Sequence, residues 1–473
     1  ERDIGFREVG TAGTEALDLP AFEGETRLEA VLDKVVVARP PIYGDRVACR
    51  FFCLFLAHVC VAVALAMRAD YTGKALYGTV FCIRIAGLFA LHIPTMLTNQ
   101  PDDGKRSSLH GNWSSRMAFI LAVTASSVGL GNIWKFPYIA GQNGGGAFVL
   151  VYLFCVIAIG MPVMMSEILI GRRGRRNPVR TMELLGREEG STDRWQWVGG
   201  MGVVAGILIL SYYSVFAGWT LAYIVKSVSG AFSGASAEAV GAEFSGFTGD
   251  WRLVALTHTI FMGLSVFVVA RGVERGLEQA VRFMVPALLV LMLVLLGYSI
   301  NSGYFSQGVA FMFTPDFDKL TWTSVLAALG QAFFTLSIGM GAVMAYGAYL
   351  PEETSITGAS GAVVAADTAI AMLAGLAIFP LVFANGLTPA DGPGLVFNTL
   401  PLAFGQMAGG VFFSTIFFLL LSFAAWTSAI GLMEPAVAWI VERFNKTRAQ
   451  ATVGVGLLIW LLGFGSVLSF NVL

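Results

Sequence analysis

The sequence predicts an all-helical membrane protein in which two of the crossings are broken near mid-depth. Three observations lead there. Of 473 residues, 56% are hydrophobic and only 13% charged, with a mean hydropathy of +0.71; a soluble domain carries about 25% charged residues. Nine apolar runs, each near the ~20 residues that cross ~30 Å of hydrocarbon, fall at 117–138, 147–170, 199–228, 252–270, 280–300, 322–349, 358–385, 408–441 and 450–472. The first and sixth of these runs carry Gly-x-Gly at their centres.

The first 50 residues have no clear helical or strand period. Two apolar stretches, 51–67 and 75–97, follow, and four of the five cysteines (Cys49, Cys53, Cys60, Cys82) fall before residue 96, with Cys155 further on. None has metal or disulfide spacing. Three readings of residues 1–95 stay open: two extra spans, a signal-like segment, or an extension foreign to the working protein. The last is preferred, because Met96 opens MLTNQPDDGKRSSLHGNW, an ordinary short polar N-terminus. Residues 96–116 are then a cytoplasmic segment, and 117–473 the working domain.

In the first run, SSVGLGNIWKFPYIAGQNGGGAF at 126–148 removes helix propensity at mid-depth and then adds Pro137. Backbone groups freed there need partners that hydrocarbon lacks, and a bound ion or polar solute is the economical one. The sixth run repeats the device with Thr335-Leu336-Ser337-Ile338-Gly339-Met340-Gly341. Paired broken spans point to a secondary transporter built from inverted repeats. Their separation by five runs implies two five-span repeats. The chain stops at Leu473 in or just after the ninth run, which reads as a truncation.

Charge sets the expected orientation. The loop after the second run holds Arg172, Arg173, Arg175, Arg176 and Arg180. That after the fourth holds Arg271, Arg275 and Arg282, and that after the eighth Arg443, Lys446 and Arg448. The alternate loops are poor in Lys and Arg. The positive-inside rule puts the basic loops, and everything before Trp113, in the cytoplasm. The net charge of −1 says nothing about partners, and no nucleic-acid signature is present. No nucleophile–base pair, phosphate loop or transition-metal cluster supports an enzyme.

WSSR at 113–116, VGLGNIWKFPY at 128–138, NGGGAF at 143–148 and GMPVMMSE at 160–167 resemble the first two spans of the neurotransmitter:sodium symporter family, on its bacterial amino-acid-transporting side. FFTLSIGMG at 333–341, LAGLAIFP at 373–380, DGPGLVFNTLP at 391–401 and WTSAIGLMEP at 426–435 resemble its sixth to eighth. The resemblance covers about 110–473. It implies the inverted five-plus-five repeat of the leucine-transporter type, in a bacterial cytoplasmic membrane, and sodium-coupled symport of a neutral, hydrophobic or aromatic amino acid by alternating access. A non-transporting sensor, or a carrier inactivated by truncation, is the competing reading. The oligomeric state stays open.

Na⁺ is a hard cation and takes oxygen ligands. Ala424, Thr427 and Ser428 stand at i, i+3 and i+4 on one helix face; by resemblance they join the carbonyls of Ala125 and Val128 in a sodium site without formal charge. Alone, Thr427 and Ser428 would more readily bond back to their own helix. A second sodium site is implied at Ser127, Asn132, Thr335 and Asp367. An ionised Asp at mid-span costs about 2.5–3.5 kcal/mol and needs a partner. Chloride-dependent relatives have Asn at the position of Asp367. This chain supplies the charge itself and has Ala371 one turn on, so Cl⁻ is not expected to be required, although Tyr152 and Gln331 of the chloride pocket remain.

The resemblance further implies an amino-acid site. The half-helix end at Leu130 and Gly131 and the Tyr213 hydroxyl would hold the carboxylate. Carbonyls at Ser127, Phe334 and Thr335, with the Ser337 hydroxyl, would hold the ammonium. Ile209, Phe334, Met340, Ser428 and Leu432 would wall the side chain. Glu167 is expected to brace the broken sixth span. Lys135 stands at an outer gate where relatives have Arg. Trp113, Tyr349 and Glu442 fit an inner gate, with His110 in place of the usual Arg and Arg106 as an alternative.

Overall fold

The computed structural model describes residues 108–109, 111–386 and 394–470, all within one compact unit, Pro101–Leu473. The expectations for residues 1–95, Met96, Arg106, His110 and the end at Leu473 lie outside the described residues. No strand occurs among the described residues beyond one isolated bridge, Gly145 to Pro315.

Seven described helices are long and apolar enough to cross a bilayer: Gly146–Gly174, Asp193–Val228, Trp251–Ala270, Gly276–Ile300, Ile356–Ala384, Gly410–Phe444 and Arg448–Ser469. They are spans two to five and seven to nine. Span one is a bent pair, Arg116–Ser127 and Gly131–Gln142, kinked by 51°. Span six is two helices, Trp322–Thr335 and Ala342–Ala348, neither long enough to cross alone. All nine runs therefore become helical, and the first and sixth are interrupted where the glycines stand.

The two interruptions differ in form. Span one loses its α path at Val128, whose ψ of 102° is extended, and resumes as a π turn, Gly131–Lys135. Span six passes through three left-handed residues in five: Ser337 (φ 53°), Gly339 (φ 83°) and Gly341 (φ 75°). Glycine adopts that region freely; Ser337 does so with its hydroxyl bonded to the Ser126 carbonyl at 3.0 Å.

Small residues set how closely the spans approach. In span three, an added Cβ at Gly202 would lie 3.3 Å from the Gly339 carbonyl, and one at Gly206 would lie 3.4 Å from that of Leu432. This long helix is thereby laid against the gap in span six and the middle of span eight. Span eight is the central element, with 78% of its apolar window buried, whereas span five has 28% and faces outward. Four further helices lie in connections: Pro178–Glu188, Ala237–Gly249, Phe305–Phe313 and Leu395–Gly405. The first is begun by Asn177, whose side chain accepts the N–H groups of Val179 and Arg180, with Pro178 at the first helical position.

Candidate functional site

The gaps in spans one and six face each other, and side chains satisfy the main chain they free. The Gly129 N–H donates to Asn132 Oδ1 (3.1 Å) and the Leu130 N–H to the Tyr213 hydroxyl (3.3 Å). Gln331 Nε2 donates to the Gly131 carbonyl at 2.8 Å, and Ser127 Oγ to that of Leu336 at 3.4 Å. Across the molecule, the Gly339 N–H donates to Glu167 Oε1 at 2.6 Å. Unpaired groups at this depth would each cost several kcal/mol.

Asp367 sits at the centre of this polar core with no exposed surface. Asn132 Nδ2 donates to its Oδ1 at 2.8 Å, and Thr335 Oγ1 lies 3.2 and 3.0 Å from its two oxygens. Residues from spans one, six and seven, 235 positions apart at the extreme, thus converge on one carboxylate. A buried carboxylate among oxygen donors suits a hard cation. Tyr152 is fully buried beside the Phe136 ring, 4.9 Å between centroids.

A second group forms where span eight meets the gap in span one. Ser428 Oγ donates to the Val128 carbonyl at 3.3 Å. Thr427 Oγ1 instead reaches within its own helix, 3.0 Å from the Ala424 carbonyl and 3.1 Å from that of Phe423. Ala125 is buried on the helix opposite. Ser428, Tyr213 and Gly129 are mutually close: a Cβ on Gly129 would run into Ser428 Oγ and lie 2.9 Å from the Tyr213 hydroxyl. A Cβ on Gly131 would meet the Phe334 ring at 2.9 Å. Met340 and Leu432 are buried at 7% and 6% exposure, and Ile209 is half-buried. Lys135 extends its ammonium over the Phe334 ring, 4.1 Å from the centroid, a cation–π contact.

At the basic face, Trp113 donates its backbone N–H to the Tyr349 carbonyl (3.0 Å) and its indole N–H to that of Tyr346 (3.1 Å). Tyr349 donates its hydroxyl to Glu434 at 2.8 Å. Glu442 accepts from the backbone and side-chain nitrogens of Asn177, at 2.7 and 2.8 Å, which ties span eight to the Pro178–Glu188 helix. The carboxylate on Tyr349 is therefore that of Glu434, which sequence reasoning left out. Glu434 is fully buried and forms an ion pair with Arg448 of span nine. The signal was available: an acid beside Pro435 in an apolar run needs a cation, and Arg448 opens the next span.

The family model described as "Sodium:neurotransmitter symporter family" matches residues 110–239 and 240–470. The chain belongs to that family. It is 40% identical over 361 residues to a sodium-dependent transporter of Bacillus subtilis, YhdH, covering 76% of this chain and 79% of that one. A sodium-dependent transporter of Haemophilus influenzae is 33% identical, covering 74% and 78%. The human sodium-dependent neutral amino acid transporter SLC6A17 is 30% identical over 279 residues, of which this chain spans 37% of the length. Among solved structures, MhsT in complex with L-phenylalanine superposes with a TM-score of 0.72 at 44% identity, covering 77% of this chain and 82% of that one. The symporter fold, the multi-pass membrane class and membership of a sodium-dependent transporter family follow.

Proposed function

We propose that this symporter carries a neutral amino acid with a hydrophobic or aromatic side chain, together with Na⁺, into a bacterial cytoplasm. The observation that carries the reading is the meeting of two helix gaps at Tyr213, Ser428 and Asp367. The L-phenylalanine in the MhsT structure and the neutral amino acid carriers among the relatives support the substrate class.

Na⁺ occupies two places as co-substrate. At one, Asp367, Asn132, Thr335 and the Ser127 carbonyl surround it, and the carboxylate makes Cl⁻ unnecessary. At the other, Thr427 turns its hydroxyl from its own helix toward the ion, beside Ser428 and the carbonyls of Ala125, Val128 and Ala424. The solute's carboxylate meets the Leu130 and Gly131 N–H groups and Tyr213. Its ammonium meets the carbonyls of Ser127, Phe334 and Thr335 and the Ser337 hydroxyl. Its side chain lies against Ile209, Phe334, Met340, Ser428 and Leu432.

Lys135 over Phe334 closes the outer side, and Trp113, Tyr349 and Glu442 the cytoplasmic side. Inverted repeats rocking about the gaps expose the site alternately. Two inward charges at ~100 mV supply about 4.6 kcal/mol, enough for a roughly thousand-fold solute gradient. Uptake of labelled L-phenylalanine into proteoliposomes tests the proposal. Saturable, Na⁺-dependent accumulation above the bath concentration supports it; uptake that only equilibrates, or that ignores Na⁺, overturns it.

A further inference from the structure

The WSSR run at 113–116 does more than open span one, because three consecutive residues hold three different elements. Trp113, 2% exposed, is bonded to the second half of span six through Tyr349 and Tyr346. Ser115 caps span one itself, its hydroxyl accepting the Ala118 N–H at 3.1 Å. Ser114, between them, turns to span five. Its N–H and hydroxyl donate to the two carboxylate oxygens of Glu278, at 3.2 and 2.5 Å. Arg282 completes the cluster, 2.6 Å from the same carboxylate and 3.1 Å from Ser114 Oγ.

Glu278 is only 4% exposed, although it sits near a helix end on the basic face. It closes a π-helical stretch, Val273–Glu278, that follows Gly272 at φ 90°. Such wide turns inside helices recur at functional positions. A π turn that tightens to α changes the winding by one residue, about 100° of rotation. Glu278 is the residue at which this stretch joins the long helix, so the winding there bears on how its carboxylate meets Ser114. The charged bonds to Ser114 and the winding of span five are therefore linked.

We propose that Glu278 is a positioning residue of the transport cycle, latching the segment that enters span one onto the wide-wound start of span five. The first half of span one then leaves the core only when the carboxylate releases Ser114. The inference rests on the alternating-access reading above, and its test separates the two.

The full chain in lipid nanodiscs is compared with Glu278→Gln, Glu278→Asp and Ser114→Ala by hydrogen exchange and by Na⁺-dependent binding of L-phenylalanine. Charge-assisted hydrogen bonds of this kind shift an equilibrium by about tenfold or more. Glu278→Gln speeds amide exchange about that much at 113–127 and 273–283, leaves spans seven and eight unchanged, and weakens binding in proportion to the fraction unlatched. Glu278→Asp restores part of both. Ser114→Ala, a change at an exposed position, moves both in the same direction by less. Unchanged exchange at the two segments overturns the latch, and so does uniformly faster exchange in every span. Absence of Na⁺-dependent binding by the unmodified protein overturns the symport reading instead, while the exchange pattern still decides the latch.

Discussion

Replacing Asp367 with Asn removes a charge while keeping the side chain's shape. The amide oxygen still accepts from Asn132 Nδ2, now 2.8 Å from the carboxylate. The amide nitrogen faces Thr335 Oγ1, 3.0 Å from the other oxygen, and a hydroxyl can accept as well as donate. Packing is thus preserved, and what is lost is the attraction for a cation. At an effective dielectric near 20, unit charges about 4 Å apart attract by about 4 kcal/mol. With each 1.4 kcal/mol a factor of ten, the Na⁺ concentration for half-maximal L-phenylalanine binding rises by roughly three decades. The assay is a Na⁺ titration of binding to purified protein, choline replacing Na⁺ at constant ionic strength, with a thermal melt to confirm folding. A folded Asp367→Asn protein with an unchanged Na⁺ midpoint would remove Asp367 from the ion site.

Three further outcomes follow from other contacts. Gly129→Ala drives a methyl into Ser428 Oγ and the Tyr213 hydroxyl; overpacking of about 1–3 kcal/mol weakens L-phenylalanine binding by about ten- to a hundredfold in an equilibrium assay. Glu434→Gln strips Arg448 of its carboxylate. Since the Arg448 side chain keeps 17% exposure, the loss is near the low end for a buried pair, about 3 kcal/mol. It is read as a lower unfolding temperature, largely recovered in the double variant Glu434→Leu with Arg448→Leu. Replacing bath chloride with gluconate leaves uptake unchanged in proteoliposomes; loss of uptake would show that Asp367 does not supply the charge other carriers take from an anion.

The crossings and their two interruptions were legible because both signals are local. Twenty apolar residues in a row admit few structures, and the breaks were readable from the residues around the glycines, with Pro137 after the first and Ser337 within the second, since Gly463-Phe464-Gly465 lies in the unbroken helix of span nine. The connecting helices at 237–249, 305–313 and 395–405 were not legible, since short helices outside the apolar runs carry weak periodicity. The Asn177-Pro178 cap was a readable start for the helix at 178–188. The pairing of Asp367 with Asn132 spans 235 positions and no pattern within either span predicts it; the family resemblance supplied it. Ser114 with Glu278, 164 positions apart, was missed for the same reason, whereas Glu434 stood only 14 positions from Arg448 and its need for a cation was readable. A buried acid announces that it needs a partner but not which one.

The most direct measurement is calorimetric binding of L-phenylalanine to the purified chain at several Na⁺ concentrations, and of Na⁺ with and without the amino acid. If ion and solute fill adjoining parts of one polar gap, each strengthens the other by the same factor, of about tenfold or more. Equal L-phenylalanine affinity in Na⁺ and in choline would contradict the account.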